Sequence, residues 1–126
     1  MKTAKDLFSH AATILPVLDV EKSAAFYRDQ LGFTITFTWG DPVDYVVLKG
    51  NENLAVHLSK RSANHPSPSD QHVVLYIFVH DVDALYEAFL ARKVQVHTPI
   101  GDRDYRMRDF DISDPDGHLI SFGKGM

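Results

Sequence analysis

Apolar residues along this chain change their period at recurring places, and the same sequence of changes runs twice. Ala11-Ala12-Thr13-Ile14-Leu15-Pro16-Val17 and Val73-Val74-Leu75-Tyr76-Ile77-Phe78-Val79 are short runs rich in β-branched and aromatic residues, which predict buried strands. Each run leads to an aspartate, Asp19 or Asp81, placed to accept hydrogen bonds from first-turn amides and to favour the helix dipole. Beyond it the apolar positions take helical spacing: Val20, Ala24, Tyr27 and Leu31 in the first half, Val82, Leu85, Tyr86 and Phe89 in the second. Each set makes one stripe for packing on a sheet. Gly32 suits the left-handed stop of the first helix.

After each helix the period falls to two. Phe33-Thr34-Ile35-Thr36-Phe37-Thr38-Trp39 alternates threonine with large apolar residues, the mark of a strand with two unlike faces. Gly50-Asn51-Glu52-Asn53 and Asp114-Pro115-Asp116-Gly117 then supply one turn per half, each joining two strand-like runs. Val17-Leu18-Asp19-Val20-Glu21 also matches Val79-His80-Asp81-Val82-Asp83, about half a chain later. Each half therefore predicts a strand, a helix and about three further strands. Two such units bury a common core. The expectation is a single domain over 1–126, with module one at about 8–60, a linker at about 60–71 carrying Pro66 and Pro68, and module two at about 72–124.

Composition narrows the partners. Forty-four per cent hydrophobic residues in 126 suffice for a modest core. The absence of cysteine excludes disulfides and thiolate chemistry. A net charge of −4 argues against nucleic acid and is compatible with a cationic ligand. No apolar stretch approaches the roughly 20 residues of a membrane span, and Met1 to Phe8 lacks a signal-peptide core, so no membrane partner and a cytoplasmic location are expected. A glycine-rich phosphate loop, a His-Glu-x-x-His run and a Gly-x-Ser-x-Gly elbow are all missing.

Two motifs carry a resemblance. Val17-x-Asp19-Val20-Glu21-x-Ser23-x-x-Phe26-Tyr27-Arg28-Asp29-x-Leu31-Gly32-Phe33 resembles the opening signature of the vicinal oxygen chelate superfamily. Asp114-Pro115-Asp116-Gly117-His118-x-Ile120 resembles its closing hairpin. That superfamily includes glyoxalase I, extradiol dioxygenases, fosfomycin-modifying enzymes and bleomycin-resistance proteins. The resemblance implies an α+β fold of two tandem βαβββ modules whose curled mixed sheets form a cleft, and a dimer. Metal-dependent members place ligands on the first and last strand of each module. The matching positions here are Ala12, His57, Val74 and Ser121, so one imidazole remains of four donors. A divalent catalytic site needs about three protein ligands. No metal and no other cofactor is expected, with a rearranged site using His57, His72 and another His as the competing reading.

The remaining pattern resembles the bleomycin-resistance branch, which binds a drug without altering it. Tyr105-Arg106-Met107-Arg108-Asp109-Phe110-Asp111-Ile112-Ser113 is similar to that branch's run before its last turn, and Ile14 to Val20 to its opening. In that branch two chains pair and the ligand lies in grooves at their interface. Strand parity puts Ile14, Ala55, Tyr76, Phe78 and Leu119 on the side of His57 and Ser121, and Leu75, Ile77 and Val79 on the helix side. The candidate ligand-binding residues are His57, Tyr76, Phe78, Tyr45, Trp39, Phe37, Tyr105 and Ser121.

Each has a plainer reading. Tyr76 and Phe78 suit ordinary core as well as a cleft, and the side taken by Phe37 and Trp39 is open. Trp39 fits a cleft mouth, an exposed aromatic or a dimer contact. His57 suits a ligand bond, a general base, or a strand histidine bonded to Ser121 or Tyr45. The acidic set Asp41, Asp44, Asp102, Asp104, Asp109 and Asp111 suits a cationic ligand or solvated loops paired with Arg103, Arg106 and Arg108. Thr98 to Asp104 reads as a mobile loop beside the groove. The function expected is metal-free binding of an aromatic or cationic, antibiotic-like small molecule by a homodimer, without catalysis. The alternatives are a glyoxalase- or dioxygenase-like enzyme and a ligand-free interaction module.

Overall fold

The computed structural model describes all residues, Met1–Met126. In chain order the elements are α1 (Ala4–Leu7), β1 (Thr13–Val17), α2 (Val20–Asp29), β2 (Thr34–Trp39), β3 (Tyr45–Asn51), β4 (Leu54–Lys60), β5 (Val73–Phe78), α3 (Val82–Ala91), β6 (Val96–Asp102), β7 (Met107–Ser113) and β8 (Leu119–Gly125). The strands form two four-stranded sheets, ordered β1-β4-β3-β2 and β5-β8-β7-β6. Each is a βαβββ unit in which the first strand runs parallel to the last and the other pairs are antiparallel. The two expected modules are both present, and the sheets stay separate rather than closing on one another.

Both aspartate caps form. Asp19 accepts from the Lys22 amide at 3.0 Å and Asp81 from the Ala84 amide at 3.0 Å. Gly32 leaves the first helix at φ 88°, whereas Lys93, at φ 60°, takes the left-handed position after the second. The helical stripes bury as the spacing predicts. Val20, Ala24, Tyr27 and Leu31 pack over Leu15, Val17, Val46, Leu48, Val56 and Leu58. In module two Phe89 packs edge-on against Phe110 and Phe122, which stack at 5.4 Å. Burying each such ring contributes on the order of 2–3 kcal/mol, so these faces dominate the core.

Two features depart from expectation. Val96–Asp102 is strand β6, so Thr98 to Asp102 are sheet and only the following residues form a turn. Pro99 is tolerated because the β6–β7 register breaks between Thr98 and Gly101 and asks no ladder bond of it. The short α1 was not expected either. It rests on a local cap, the Asp6 carboxylate accepting from the Thr3 amide and hydroxyl at 3.1 Å each, and buries nothing.

The Asp114-Pro115-Asp116-Gly117 turn does more than reverse the chain. Asp114 accepts from the Asp116 amide at 3.0 Å and the His118 amide at 2.8 Å, which shapes the turn. Its other oxygen accepts from the Tyr27 hydroxyl of α2 at 2.8 Å. Asp116 accepts from the Leu18 amide at 2.9 Å, the Ser23 hydroxyl at 3.2 Å and the Arg61 guanidinium at 3.3 Å. The His118 ring donates to the Pro16 carbonyl at 2.8 Å. The hairpin of module two is thus bolted to the first strand and helix of module one.

Burial pushes the Asp114 carboxyl above the usual carboxylate range, against the opposing pull of His118 and the Tyr27 hydroxyl. A raised carboxyl pKa favours the protonated form in the fold. Its contribution to stability is therefore present in acid and lost as pH rises through the folded pKa. Tyr27→Phe is expected to cost about 1–3 kcal/mol at neutral pH, because the buried carboxylate loses a donor. The loss should shrink once Asp114 is protonated. Urea melts of both proteins at pH 7 and pH 3 check this, and an equal loss at both values would show that the bond is not made to a carboxylate.

Candidate functional site: two aromatic and polar sheet faces

The faces turned away from the helices differ between the modules. In module one a register shift between Ile35 and Phe37 splits the alternating run of β2. Ile35 lies opposite Leu48 and packs on the core, while Phe37 lies opposite Val47 and Trp39 opposite Tyr45, on the outer face. Strict alternation would have kept all three together; the bulge turns the last two outward. Phe37 is 52% exposed and Trp39 66%. With Tyr45 they line a shallow hollow of about 570 Å³. Ile14 and Val47 flank His57 on neighbouring strands, completing the row.

His57 is paired within its own sheet. Its Nδ1 lies 2.6 Å from the Tyr45 hydroxyl, and the rings meet edge to face at 5.5 Å. This is the Tyr45 partnership that the plainer reading allowed. Beside it, a second hollow of about 310 Å³ is lined by His57, Val47, Ala55, Ala12 and Lys49.

Module two carries a polar network on the matching face. Asp109 is only 2% exposed. It accepts from Tyr76 Oη at 2.8 Å, Tyr105 Oη at 2.7 Å and Arg103 Nε at 2.8 Å. Ser121 donates to Asp111. Burial alone would raise the Asp109 carboxyl, but the bonds from Arg103, Tyr105 and Tyr76 outweigh it and hold the group below the usual range. Burial, then the adjoining Asp109, pushes the Tyr76 phenol far up. Gly123 makes room for this arrangement. A Cβ there would meet the Tyr76 ring at 2.8 Å and Asp109 Cβ at 2.9 Å.

The eight sequence-derived candidates therefore sort into two sets. Phe37, Trp39, Tyr45 and His57 share the module-one face, while Tyr76, Phe78, Tyr105 and Ser121 belong to module two. None of the principal hollows is lined by residues of both sets. Phe78, 75% exposed, is no core residue. Tyr76, Tyr105 and Ser121 are committed to carboxylates of their own sheet. Asp109 pairs with Arg103 at 2.8 Å, as the plainer reading of the acidic set allowed, but its carboxylate is buried rather than solvated. Their i, i+6 spacing across a hairpin held no sequence signal for that burial. A hollow of about 560 Å³ lies at the junction of the modules among Leu31, Phe33, Leu54, Phe78, Leu85 and Phe89. Of the sequence-derived candidates, Tyr76 and Phe78 line it, while its other walls come from distant elements that read as core.

The four positions that correspond to the superfamily's metal ligands do not fit an ion. Ala12 and Val74 offer no donor atom, the Ser121 hydroxyl is engaged by Asp111, and His57 Nδ1 by Tyr45. Nowhere does the chain gather three or more His, Asp or Glu side chains able to hold one.

A doubled βαβββ unit with a shaped outer face on each sheet defines a class, and comparison with known proteins gives it a family. Residues 7–122 match the model of the Glyoxalase/Bleomycin resistance protein/Dioxygenase superfamily. Over 123 residues the chain is 32% identical to a bleomycin resistance protein of Geobacillus stearothermophilus, covering 86% of this chain and 90% of that one. Among solved structures, TnmS3, an antibiotic binding protein from Streptomyces sp. CB03234, superposes with a TM-score of 0.75 at 25% identity, over 94% of this chain and 98% of the other. A superfamily member from Sphaerobacter thermophilus reaches a TM-score of 0.78 at 21% identity, with the same coverages of 94% and 98%. The chain belongs to the Glyoxalase/Bleomycin resistance protein/Dioxygenase superfamily. No helix is long and apolar enough to cross a membrane.

Two outcomes follow for the polar network. Gly123→Ala should break the Tyr76–Asp109 bond and cost about 1–3 kcal/mol, seen as a lower melting temperature. In a Tyr76→Phe background the added cost should be smaller, and equal costs in both backgrounds would remove the steric argument. Because the Asp109 pKa is lowered, its contribution is present above the unfolded-chain value of about 3.9 and is lost as pH falls through the folded pKa. Stability measured against pH below 4 should therefore fall more steeply for the parent protein than for Asp109→Asn. Parallel curves would mean that the carboxylate is not held as described.

Proposed function

We propose that the protein is a metal-free binder of an antibiotic-like small molecule, aromatic or cationic, which it holds without covalent change. The observation that carries this reading is the row of exposed rings on the module-one face. Trp39 and Phe37 stand outward beside Ile14 and the Tyr45–His57 pair, where a soluble protein of this size would be expected to bury such groups. Stacking a planar or cationic group on such rings contributes about 0.5–2 kcal/mol per contact. The bleomycin resistance protein and the antibiotic binding protein that this chain resembles support the ligand class. The donor-poor ligand positions support the absence of a metal.

In this reading the protein works as a homodimer. A lone chain presents its two outer faces on separate sheets, and pairing would set the module-one face of one copy against the module-two face of its partner. The ring-lined face would then meet a face carrying Asp111 and Phe78, suited to a ligand with both planar and cationic parts.

Trp39 is the sole tryptophan, so its fluorescence reports this face directly. Titration with bleomycin should change the emission and raise the melting temperature; at about 100 times the dissociation constant the ligand adds about 2.7 kcal/mol. Trp39→Ala should weaken binding by roughly 1–3 kcal/mol with little effect on the ligand-free melt. A flat titration with bleomycin and with other cationic aromatic antibiotics would leave the interaction-module reading ahead.

A further inference from the structure

We propose that His57 is a fixed hydrogen-bond donor, and that the hollow beside it recognises a carboxylate carried on a planar aromatic molecule. The proposal rests on the reading of this face as a ligand surface and names the chemistry of one end of the ligand.

The Tyr45 hydroxyl has a single hydrogen-bond partner, His57 Nδ1 at 2.6 Å. A phenol is the better donor of the two groups, and a neutral imidazole carries one donor and one acceptor nitrogen. When Tyr45 donates its proton to Nδ1, the ring hydrogen must sit on Nε2. The two ring nitrogens point to opposite sides of the imidazole, so engaging Nδ1 with Tyr45 turns Nε2–H away from it. On that other side lies the hollow of about 310 Å³, which His57 lines and Tyr45 does not. Nε2 makes no bond within the protein.

The wall next to it supplies charge. Lys49 lines the same hollow, on the strand beside that of His57, with Val47 and Ala55 forming an apolar floor. An N–H donor and an ammonium on the lining of one hollow, beside apolar residues, suit an oxygen anion, and the bond to a charged acceptor is the stronger kind. Glu52 at the rim opposes an anion, which favours a single carboxylate over a doubly charged phosphate. Tyr45 also lines the neighbouring hollow with Phe37 and Trp39. Phe37, Val47 and His57 lie in one row across three strands, so one molecule can set its ring on Phe37 and reach His57 with its acid group. Tyr45 is the positioning residue that joins the two. The tautomer it imposes is the opposite of what a general base at Nε2 needs, which separates this role from catalysis.

The experiment uses two probes on the full-length protein, naphthalene-2-carboxylate and 2-naphthylmethylammonium, alike in ring and opposite in charge. Trp39 emission reports ring binding for both, and long-range proton–nitrogen NMR reports the His57 tautomer. We expect the Nε2–H form in the free protein, tighter binding of the carboxylate, and a shift of His57 Nε2 on adding it. His57→Leu should weaken the carboxylate about tenfold and leave the ammonium probe unchanged, while His57→Gln, which keeps an N–H donor, should recover much of the loss. Tyr45→Phe should allow the tautomers to mix, a result that a merely structural hydroxyl would not give. An Nδ1–H tautomer in the parent protein would overturn the proposal. So would equal or tighter binding of the ammonium probe, although the ligand-binding reading of the face would then stand. Failure of both probes to alter Trp39 emission would overturn that reading and this inference together.

Discussion

The arrangement of this molecule depends on one loaded turn. Asp114 and Asp116 sit in a four-residue reversal, yet their carboxylates reach into the other module and take hydrogen bonds from the Tyr27 hydroxyl, the Leu18 amide, the Ser23 hydroxyl and Arg61. Two buried carboxylates so far from water are tolerable only when nearly all their lone pairs are used. The pattern fixes where module two stands relative to α2 and β1. It thereby fixes which sheet faces are left open. Hydrophobic packing is the larger energy, and a single apolar core runs through both modules, but it is non-directional. The polar bolt adds direction to it.

The doubled scaffold then diverges on its free faces. On the helix side both modules follow the same rule, with alternating strand residues meeting a helical stripe, and aromatic packing among Phe89, Phe110 and Phe122 in the second. On the other side, module one exposes rings around a tyrosine–histidine pair. Module two seals its tyrosines onto a buried aspartate and leaves Phe78 and Asp111 nearer the surface. Relaxed packing demands on these faces allow the difference: no helix covers them, so their side chains are free to be chosen for chemistry. The superfamily membership fits this division, and the four positions that the resemblance matched to metal ligands carry methyl groups, a hydroxyl and one tethered imidazole.

Much of the fold was legible because its signals are local. Capping aspartates at Asp19 and Asp81, stripes at helical spacing and a period-two run each act over a few residues, and each forms where the pattern puts it. The loop expected at Thr98 to Asp104 failed for a local reason as well. Pro99, Gly101 and three charges read as a turn, whereas two breaks in register let Thr98 to Asp102 stay in an edge strand, with only Arg103 and Asp104 beyond it. The outward turn of Phe37 and Trp39 was hidden, since a bulge shifts a strand's faces without altering its alternation. The Asp109 network was hidden too. Tyr76 is 33 residues from its partner, and only the sheet brings them together. The resemblance located the face of interest, but it could not show that half of the candidate side chains already had partners.

The central claim is that the open ring-lined face is the ligand surface. Backbone amide NMR with bleomycin tests it most directly. The account predicts that perturbed resonances cluster around Phe37, Trp39, Tyr45 and His57, with a second group near Phe78 and Asp111. Perturbations confined to the junction hollow around Leu31, Phe33 and Leu85, or none at saturating drug, would contradict it.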